Sequence, residues 1–381
     1  MARPSQAEVI FRFIIDNSIL LIVGAATALV WANLDLEHYT TFAHGPLHFA
    51  VNDIGMVFFF ALATKEVYEA TLPGGPLSSP RQAAVPVVAA LGGMMFPAGI
   101  YVALVLLIGD GDLMRGWAIP CATDIAFSYL IARMMFAKGH PAIPFLLLLA
   151  IADDALGLII LAVFYPSGPV SMVELFAWLL PAIALAYAFR RAGLASFWWY
   201  VLGPGVMAWI GLHEGGIHPA LALVPIVPFM PHEKVEIRLI HAPRTVRHHT
   251  MHHFEHWWKV PVQIVLFAFG LANAGVLLSS VGHVTWIIMV GLIVGKPLGI
   301  VLTTFVAERV GFRRAPGLSY NALVGLGITA GIGFTVALFF TTAAFPPGPI
   351  LDEAKMGALL SFAAAPLALI AGRLLRVNRP S

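Results

Sequence analysis

Two adjacent aspartates, Asp153 and Asp154, lie inside the continuous apolar run from Ile143 to Phe164. Two more ionisable residues, Asp124 and Lys296, lie inside other apolar stretches. A charge at the centre of a bilayer costs about 2.5–3.5 kcal/mol on insertion scales, so such groups must face a polar interior, pair or change protonation. A buried ion pair that only fixes the helix arrangement would leave two of these acids without a partner. We therefore interpret the set as a functional site.

The chemistry that suits this set is competition between protons and a small cation. Neighbouring carboxylates in a medium of low dielectric disfavour double ionisation, so the pair can hold protons near neutral pH. The same oxygens, once deprotonated, suit a hard cation. A site that faces the two sides of a membrane in turn would thereby exchange one for the other. We expect Asp154 to be the main metal ligand with Asp153 beside it, and one of the two to pair with Lys296.

The elements that must position these residues are membrane-spanning helices. The chain is 59% hydrophobic and 11% charged, with a mean hydropathy of +0.86, whereas soluble domains carry about 25% charged residues. We expect an all-α polytopic membrane protein with about twelve transmembrane helices, of which the seventh and eighth are short. The apolar stretches lie at 14–33, 49–66, 84–108, 117–136, 142–165, 172–189, 197–211, 218–231, 260–281, 284–306, 320–345 and 355–375.

Basic residues predict the orientation of these spans. Under this count, the 22 Lys and Arg residues fall on alternate loops, except Arg115, Lys355 and the intramembrane Lys296. The positive-inside rule then places both termini in the cytoplasm. We expect one integral membrane transporter domain over residues 1–381. Its cytoplasmic parts are the N-terminus (1–13), a His-rich loop (about 232–258) and the C-terminus (about 376–381).

Two predicted spans are interrupted in similar ways. Span four contains "AIPCATDIAF", with Thr123 and Asp124 after Pro120, and span eleven contains "GLGITAGIGFT". Proline and repeated glycine weaken helices, and broken backbone at membrane depth requires burial in protein or a wet cavity. Paired interruptions mark transporter sites, although span eleven alone also suits close packing through small residues. Thr123 offers an ion its hydroxyl, while Asp124 and Lys296 would offset the partial charges of helix ends.

Six stretches together resemble the NhaA-type sodium/proton antiporters, over about residues 52–375. They are "RQAAVPVVAALGGMMFPAGIY" (81–101), "GWAIPCATDIAF" (116–127), "LAIADD" (149–154), "LANAGV" (271–276), "GKPLGI" (295–300) and "GIGFT" (331–335). The resemblance implies inverted repeats in which discontinuous spans four and eleven cross. It also implies an electrogenic, pH-regulated exchange of one Na⁺ or Li⁺ for two H⁺ in a bacterial inner membrane. No cofactor and no nucleic acid are expected, the lipid bilayer is the surrounding partner, and a homodimer is left open.

Carried over by motif, Asp153 and Asp154 match the family's paired ion-site aspartates. Thr123 and Asp124 match the Thr-Asp at the helix crossing, and Lys296 matches the lysine of "GKPLG". Two departures stand out: the glycine after the acid pair is displaced by one position, and span two ends in "ATKEVYEA" where the family has Gly-Leu-Glu-Val-Lys-Arg-Glu.

Candidate pH-sensing residues follow from the same resemblance. They are Glu66, which keeps the family's glutamate in span two, and the pair Glu255-His256 before span nine. Seven of the 14 histidines lie between His232 and His256. This cluster could respond to pH, bind zinc through the pairs His249/His253 and His252/His256, or be a solvated basic loop near anionic lipid.

Two other classes of membrane protein remain as alternatives. An intramembrane aspartyl protease would use Asp124 and Asp154 as a dyad that shares a proton. It would need neither Lys296 nor a broken span eleven, and no Gly-x-Gly-Asp element is present. A cation channel would need a continuous pore, whereas buried paired acids suit an occluded site.

Overall fold

The computed structural model of the protein describes residues 14–15, 18–43, 45–232 and 250–377. Its regular elements in these ranges are helical, and no strand occurs in them. A 3₁₀ segment, Gly111–Cys121, precedes α5. The helices, in chain order, are α1 (Ile19–Leu34), α2 (Leu36–Ala43), α3 (Pro46–Thr71), α4 (Pro80–Ile108), α5 (Ile125–Met135), α6 (Ala142–Phe164), α7 (Met172–Arg191), α8 (197–214), α9 (Thr250–Asn273), α10 (His283–Arg309), α11 (Tyr320–Ala330), α12 (Phe334–Ala344) and α13 (Pro349–Leu374).

The membrane-spanning character of the chain is evident in the lengths of these helices. Within the described residues, α3, α4, α6, α7, α10 and α13 each contain an apolar stretch long enough to cross a bilayer. The bent pair of α11 and α12 adds one more candidate, and α1 and α5 are shorter apolar helices. The structure confirms an all-helical, multi-pass membrane protein, and the count of about twelve spans stays a prediction.

The structure departs from the apolar pattern in two places. Residues 218–231 form two short 3₁₀ turns, Pro219–Leu221 and Val227–Phe229, and no continuous helix. Prolines at 219, 225 and 228 each remove a backbone donor and disfavour helical geometry in the residue before them. Span nine was expected at 260–281, but α9 begins at Thr250 and ends at Asn273. An apolar stretch shows which residues can lie in lipid, but it does not show where the helix begins or ends.

The core is built around a close contact between α4 and α10. A Cβ atom added at Gly299 would lie 2.1 Å from the carbonyl oxygen of Gly92, and one at Gly295 would lie 2.8 Å from Cα of Pro97. Small residues let helix backbones approach in this way inside a membrane. Lys296 lies between the two α10 glycines in sequence and is 1% exposed, so this contact fixes the position of its side chain.

A second close contact joins α1 to α9. A Cβ atom at Gly24 would lie 2.1 Å from the carbonyl oxygen of Phe267, and one at Gly270 would lie 2.7 Å from that of Leu21. Residues of α3 and α9, together with Ser18 just before α1, line the approach to the acidic residues, which lie on α6 and beside α5.

Candidate ion site

The interruptions of predicted spans four and eleven meet in the structure. The backbone is extended at residues 122–124, before α5, and α11 and α12 are bent by 50° about residues 331–333. The backbone N–H of Asp124 donates to the carbonyl oxygen of Ile332 at 2.7 Å, and the Thr123 hydroxyl donates to that of Ala330 at 3.1 Å. Each break thus satisfies backbone groups that the other leaves free, as burial requires.

Asp124 lies where two helices begin. Its side chain accepts a hydrogen bond from the backbone N–H of Phe127, in the first turn of α5. It also accepts from the backbone N–H of Thr335, in the first turn of α12, at 3.3 Å, and from the Thr335 hydroxyl. The carboxylate therefore lies against the partial positive charges of both N-termini, and its role there stays a prediction.

Lys296 is joined to the first aspartate of the pair. Its Nζ lies 2.9 Å from Oδ2 of Asp153 and also donates to the Thr123 hydroxyl. Through Thr123 it is linked to the carbonyl oxygen of Ala330 at the C-terminal end of α11, where a positive charge is favoured. All three side chains are buried. Oδ1 of Asp153 is also buried, and it has no hydrogen-bond partner among the described residues.

Asp154 occupies a different position, between two cavities. Its side chain lines a cavity of about 270 Å³ together with Asp124 and Thr335. It also lines a cavity of about 20 Å³ together with Asp153. Unlike Asp153, Asp154 is only partly buried. Adjacent helix positions point about 100° apart, so one acid reaches Lys296 while the other faces open space.

The larger cavity carries a set of polar side chains among apolar ones and extends to an exposed residue. Its polar lining continues from Asp154 to Glu66, Gln263 and Ser18. Glu66 is exposed and lies near the C-terminal end of α3. Water or a hydrated ion could therefore reach Asp154 along this lining.

The smaller cavity is mostly apolar, and several aromatic rings line it. Phe60 and Phe339 both line it, and their ring centroids lie 5.0 Å apart in an edge-to-face arrangement. Phe340, which also lines it, packs edge-to-face against Tyr165. A volume of about 20 Å³ holds about one water molecule. No hydrated ion can pass the aspartates on this side in the present conformation.

Comparison with known proteins identifies the family. Residues 10–374 match the family described as Na⁺/H⁺ antiporter 1. The chain belongs to this family. It is 46% identical over 373 residues to the Na⁺/H⁺ antiporter NhaA of Geobacter metallireducens, covering 96% of this chain and 97% of that one. It is 44% identical over 377 residues to the NhaA of Desulfitobacterium hafniense, covering 97% of this chain and 96% of that one.

A solved structure supports the fold of this antiporter-family protein. The sodium proton antiporter MjNhaP1 from Methanocaldococcus jannaschii has a TM-score of 0.55 to it at 13% sequence identity. The similarity covers 94% of this chain and 91% of that one. At this identity, the similarity shows a shared fold.

The candidate pH-sensing residues of this family member fall in two places. Glu255 accepts a hydrogen bond from Nζ of Lys65 at 2.6 Å, and Glu69 forms an ion pair with the same Nζ at 2.6 Å. Glu66 makes neither of these contacts but interacts electrostatically with Lys65 and Glu255, and it lines the larger cavity. His256 is exposed on α9. The structure therefore joins Glu255 to α3 and leaves Glu66 open to the ion path.

The zinc hypothesis for the His-rich loop falls partly outside the described residues, since His249 is not among them. Within the described ranges, no group of three His, Cys, Asp or Glu side chains is placed to hold a metal. His252 lies 3.8 Å from Oε2 of Glu255 and is mostly exposed.

Three residues near the site were missed by sequence reasoning: Lys65, Thr335 and Gln263. Lys65 could have been found, because a lysine directly after "FFFALAT" is one more charge beside an apolar run. Thr335 belongs to the "GIGFT" stretch, but nothing in the sequence shows that its hydroxyl meets Asp124. Gln263 gives no signal at all, because one amide in a helix has many ordinary explanations.

Proposed function

We propose that this protein is an electrogenic antiporter that exports Na⁺ or Li⁺ in exchange for H⁺ across the bacterial inner membrane. The observation that carries the proposal is the position of Asp154. It lies between a polar, accessible cavity and an apolar, closed one, beside the buried pair of Asp153 and Lys296. A secondary transporter of this family needs such a site, accessible from one side at a time.

The proposed exchange step is competition for the acidic oxygens. A cation in the larger cavity meets Asp154, the Thr123 hydroxyl and, behind them, the unpartnered Oδ1 of Asp153. Its arrival displaces the proton held on Asp154 and weakens the attraction between Asp153 and Lys296, which then separate or release a proton. Two protons for one Na⁺ or Li⁺ moves net charge, which makes the exchange electrogenic. The step uses no cofactor and involves no nucleic acid.

We further propose about twelve spans arranged as inverted repeats. A repeat is supported by two similar series: α4, the broken segment 111–135 and α6, against α10, the broken pair of α11 and α12, and α13. Contacts between the two breaks support crossed discontinuous helices. We assign the whole chain, 1–381, to one transporter domain in the lipid bilayer, with cytoplasmic segments 1–13, about 232–258 and about 376–381, and we leave a homodimer undecided.

The proposed regulation by pH rests on Glu66, Glu255 and His256. Glu66 lines the cavity through which the cation would arrive, so its charge would alter cation access. Glu255 is joined through Lys65 to α3, the same helix that carries Glu66. A change of charge at Glu255 or at the exposed His256 would thereby reach the wall of the cavity.

Two features argue against the alternatives. Asp124 accepts hydrogen bonds from two helix N-termini, and a carboxylate that activates water for proteolysis would have to leave them. The aromatic side chains around the smaller cavity interrupt any continuous pore. Neither a protease nor a channel explains why Lys296 is paired beside the site.

Everted membrane vesicles with an imposed proton gradient test the proposal. Addition of NaCl or LiCl should dissipate the gradient, as a rise in the fluorescence of a quenched pH-sensitive dye, and the response should depend on pH. KCl in parallel measures ion preference. A membrane potential set by valinomycin and K⁺ should change the exchange rate if the exchange is electrogenic. A gradient untouched by either salt across the pH range would refute the proposal.

A further inference from the structure

The larger cavity contains a polar group that the exchange step above does not use. Gln263 on α9 is 8% exposed and lines the cavity. Its Nε2 donates a hydrogen bond to the Ser18 hydroxyl at 3.3 Å, whereas its Oε1 is buried without a hydrogen-bond partner among the described residues. A buried acceptor without a partner destabilises the fold unless a water molecule or an ion occupies the space beside it.

The residue that orients this amide adopts an unusual conformation. Ser18 precedes α1 with φ 49° and ψ 35°, in the left-handed region, and its side chain makes no capping bond to the helix. Residues other than glycine pay free energy for this conformation, and such strain concentrates at functional sites. The Ser18 hydroxyl engages Nε2 of Gln263 and so turns the amide oxygen away from it.

The charge of the cavity lining determines what the free oxygen would bind. The lining includes the carboxylates of Asp154, Asp124 and Glu66, and none of the described residues that line it is Lys, Arg or His. A cleft lined by one sign of charge concentrates ions of the opposite sign. Carboxylate and amide oxygens are also the ligands that hard cations prefer.

We propose that Oε1 of Gln263 and the carboxylate of Glu66 form an outer cation site in the larger cavity. A partly hydrated alkali cation binds there before it moves to Asp154. This inference rests on the proposed function and adds a binding position to it. The outer site holds the cation only before the exchange step, so it determines how well the transporter captures Na⁺ at low concentration. The maximal rate is determined by the exchange step at Asp154.

The test is the Na⁺ dependence of exchange in proteoliposomes containing the full chain. Gln263→Leu removes the amide oxygen and should raise the KM for Na⁺ about tenfold, with the maximal rate within about twofold of the wild type. Gln263→Glu keeps an oxygen in place and adds charge, so it should lower the KM. Ser18→Gly suits the left-handed backbone but removes the orienting hydroxyl, and should raise the KM about threefold without lowering the melting temperature.

Asn321→Leu is the matched control, because Asn321 is an exposed amide that bonds to the Leu375 carbonyl and does not line the cavity. Its KM should equal that of the wild type. An unchanged KM in Gln263→Leu, or a lower maximal rate with unchanged KM, overturns the outer site. If Gln263→Leu does not fold, the KM of Gln263→Glu is the deciding measurement. An unchanged or raised KM in Gln263→Glu overturns the outer site. A wild type without Na⁺-dependent exchange refutes the proposed function instead.

Discussion

The two cavities that meet at Asp154 differ in size, lining and access. The larger, of about 270 Å³, has three carboxylates, several hydroxyls and an amide among apolar side chains and reaches the exposed Glu66. The smaller, of about 20 Å³, is lined mainly by Phe, Leu and Ala side chains. Under the proposed orientation, the larger one opens to the cytoplasm. Under the proposed mechanism, this conformation is the one that receives a cation from that side.

The difference also shows that binding the ion and excluding water fall to opposite sides of such a site. The polar side must lower the free energy of a hydrated ion, which requires fixed oxygens. The apolar side must exclude water and protons and yet be able to open. Single aromatic contacts contribute only about 0.5–1.5 kcal/mol beyond their buried area, so a few of them form a barrier that can rearrange.

We expect the largest loss of exchange activity when Asp154, which lies between the two cavities, loses its charge. Asp154→Asn should lower Na⁺/H⁺ exchange by more than about 100-fold, because an amide neither releases a proton nor carries a full negative charge. Asp153→Asn should have a similar effect through Lys296. Dye dequenching in everted vesicles measures both. The control Asp112→Asn, at an exposed residue of the 3₁₀ segment, should exchange normally. Normal turnover in either ion-site variant would refute the assignment.

Lys296→Met tests the buried ion pair beside the site. It leaves the carboxylate of Asp153 buried without its cation, which should lower the free energy of unfolding by about 3 kcal/mol. The melting temperature in detergent, read by tryptophan fluorescence, is the measurement. Lys138→Met is the control at an exposed lysine. Equal melting of Lys296→Met and the wild type would show that the pair contributes nothing to stability.

Thiol labelling compares the two cavities directly. Cys121, the single cysteine of the chain, lines the smaller cavity and is buried. In a Cys121→Ala background, Leu62→Cys places a thiol on the larger cavity. A membrane-impermeant thiol reagent added to everted vesicles should modify Leu62→Cys about 100-fold faster than native Cys121, which reacts only when the structure opens locally. Equal rates would mean that the two cavities are equally accessible.

A smaller effect is expected when the aromatic barrier is weakened. Phe339 contacts Phe60, which also lines the smaller cavity. Phe339→Ala removes this ring contact, which contributes about 0.5–1.5 kcal/mol. Cys121 should then react about tenfold faster in the same labelling experiment. Phe305→Ala, at a half-exposed aromatic on α10, is the control. An unchanged rate would show that Phe339 does not close the smaller cavity.

Much of the candidate site was accessible from the sequence because charges inside apolar runs have few explanations. Asp153, Asp154, Asp124 and Lys296 were found in this way, and the structure brings them together with Thr123. The sequence could not show which aspartate pairs with Lys296, because that depends on how α6 is rotated. The contrast between the cavities was equally hidden, since it arises from side chains on helices far apart in the chain.

The fold shows the same division between local and tertiary signals. Hydropathy found the long spans, since burial in lipid leaves a direct trace in composition. It was wrong to indicate a helix at 218–231, because an apolar segment can be buried without being helical, and the prolines there gave the better signal. The meeting of the two breaks was suggested by family resemblance, and the hydrogen bond from Asp124 to Ile332 is visible only in three dimensions.

The glycine contact between α4 and α10 has a consequence for how the transporter moves. At Gly92 and Gly299 the two backbones approach closely, with little side chain between them, so we expect the two helices to move together. Lys296, which lies on α10, would then move together with α4. Any hinge that turns the acids to the opposite face must therefore lie outside this contact, for example at the extended residues 122–124 or at the bend of residues 331–333.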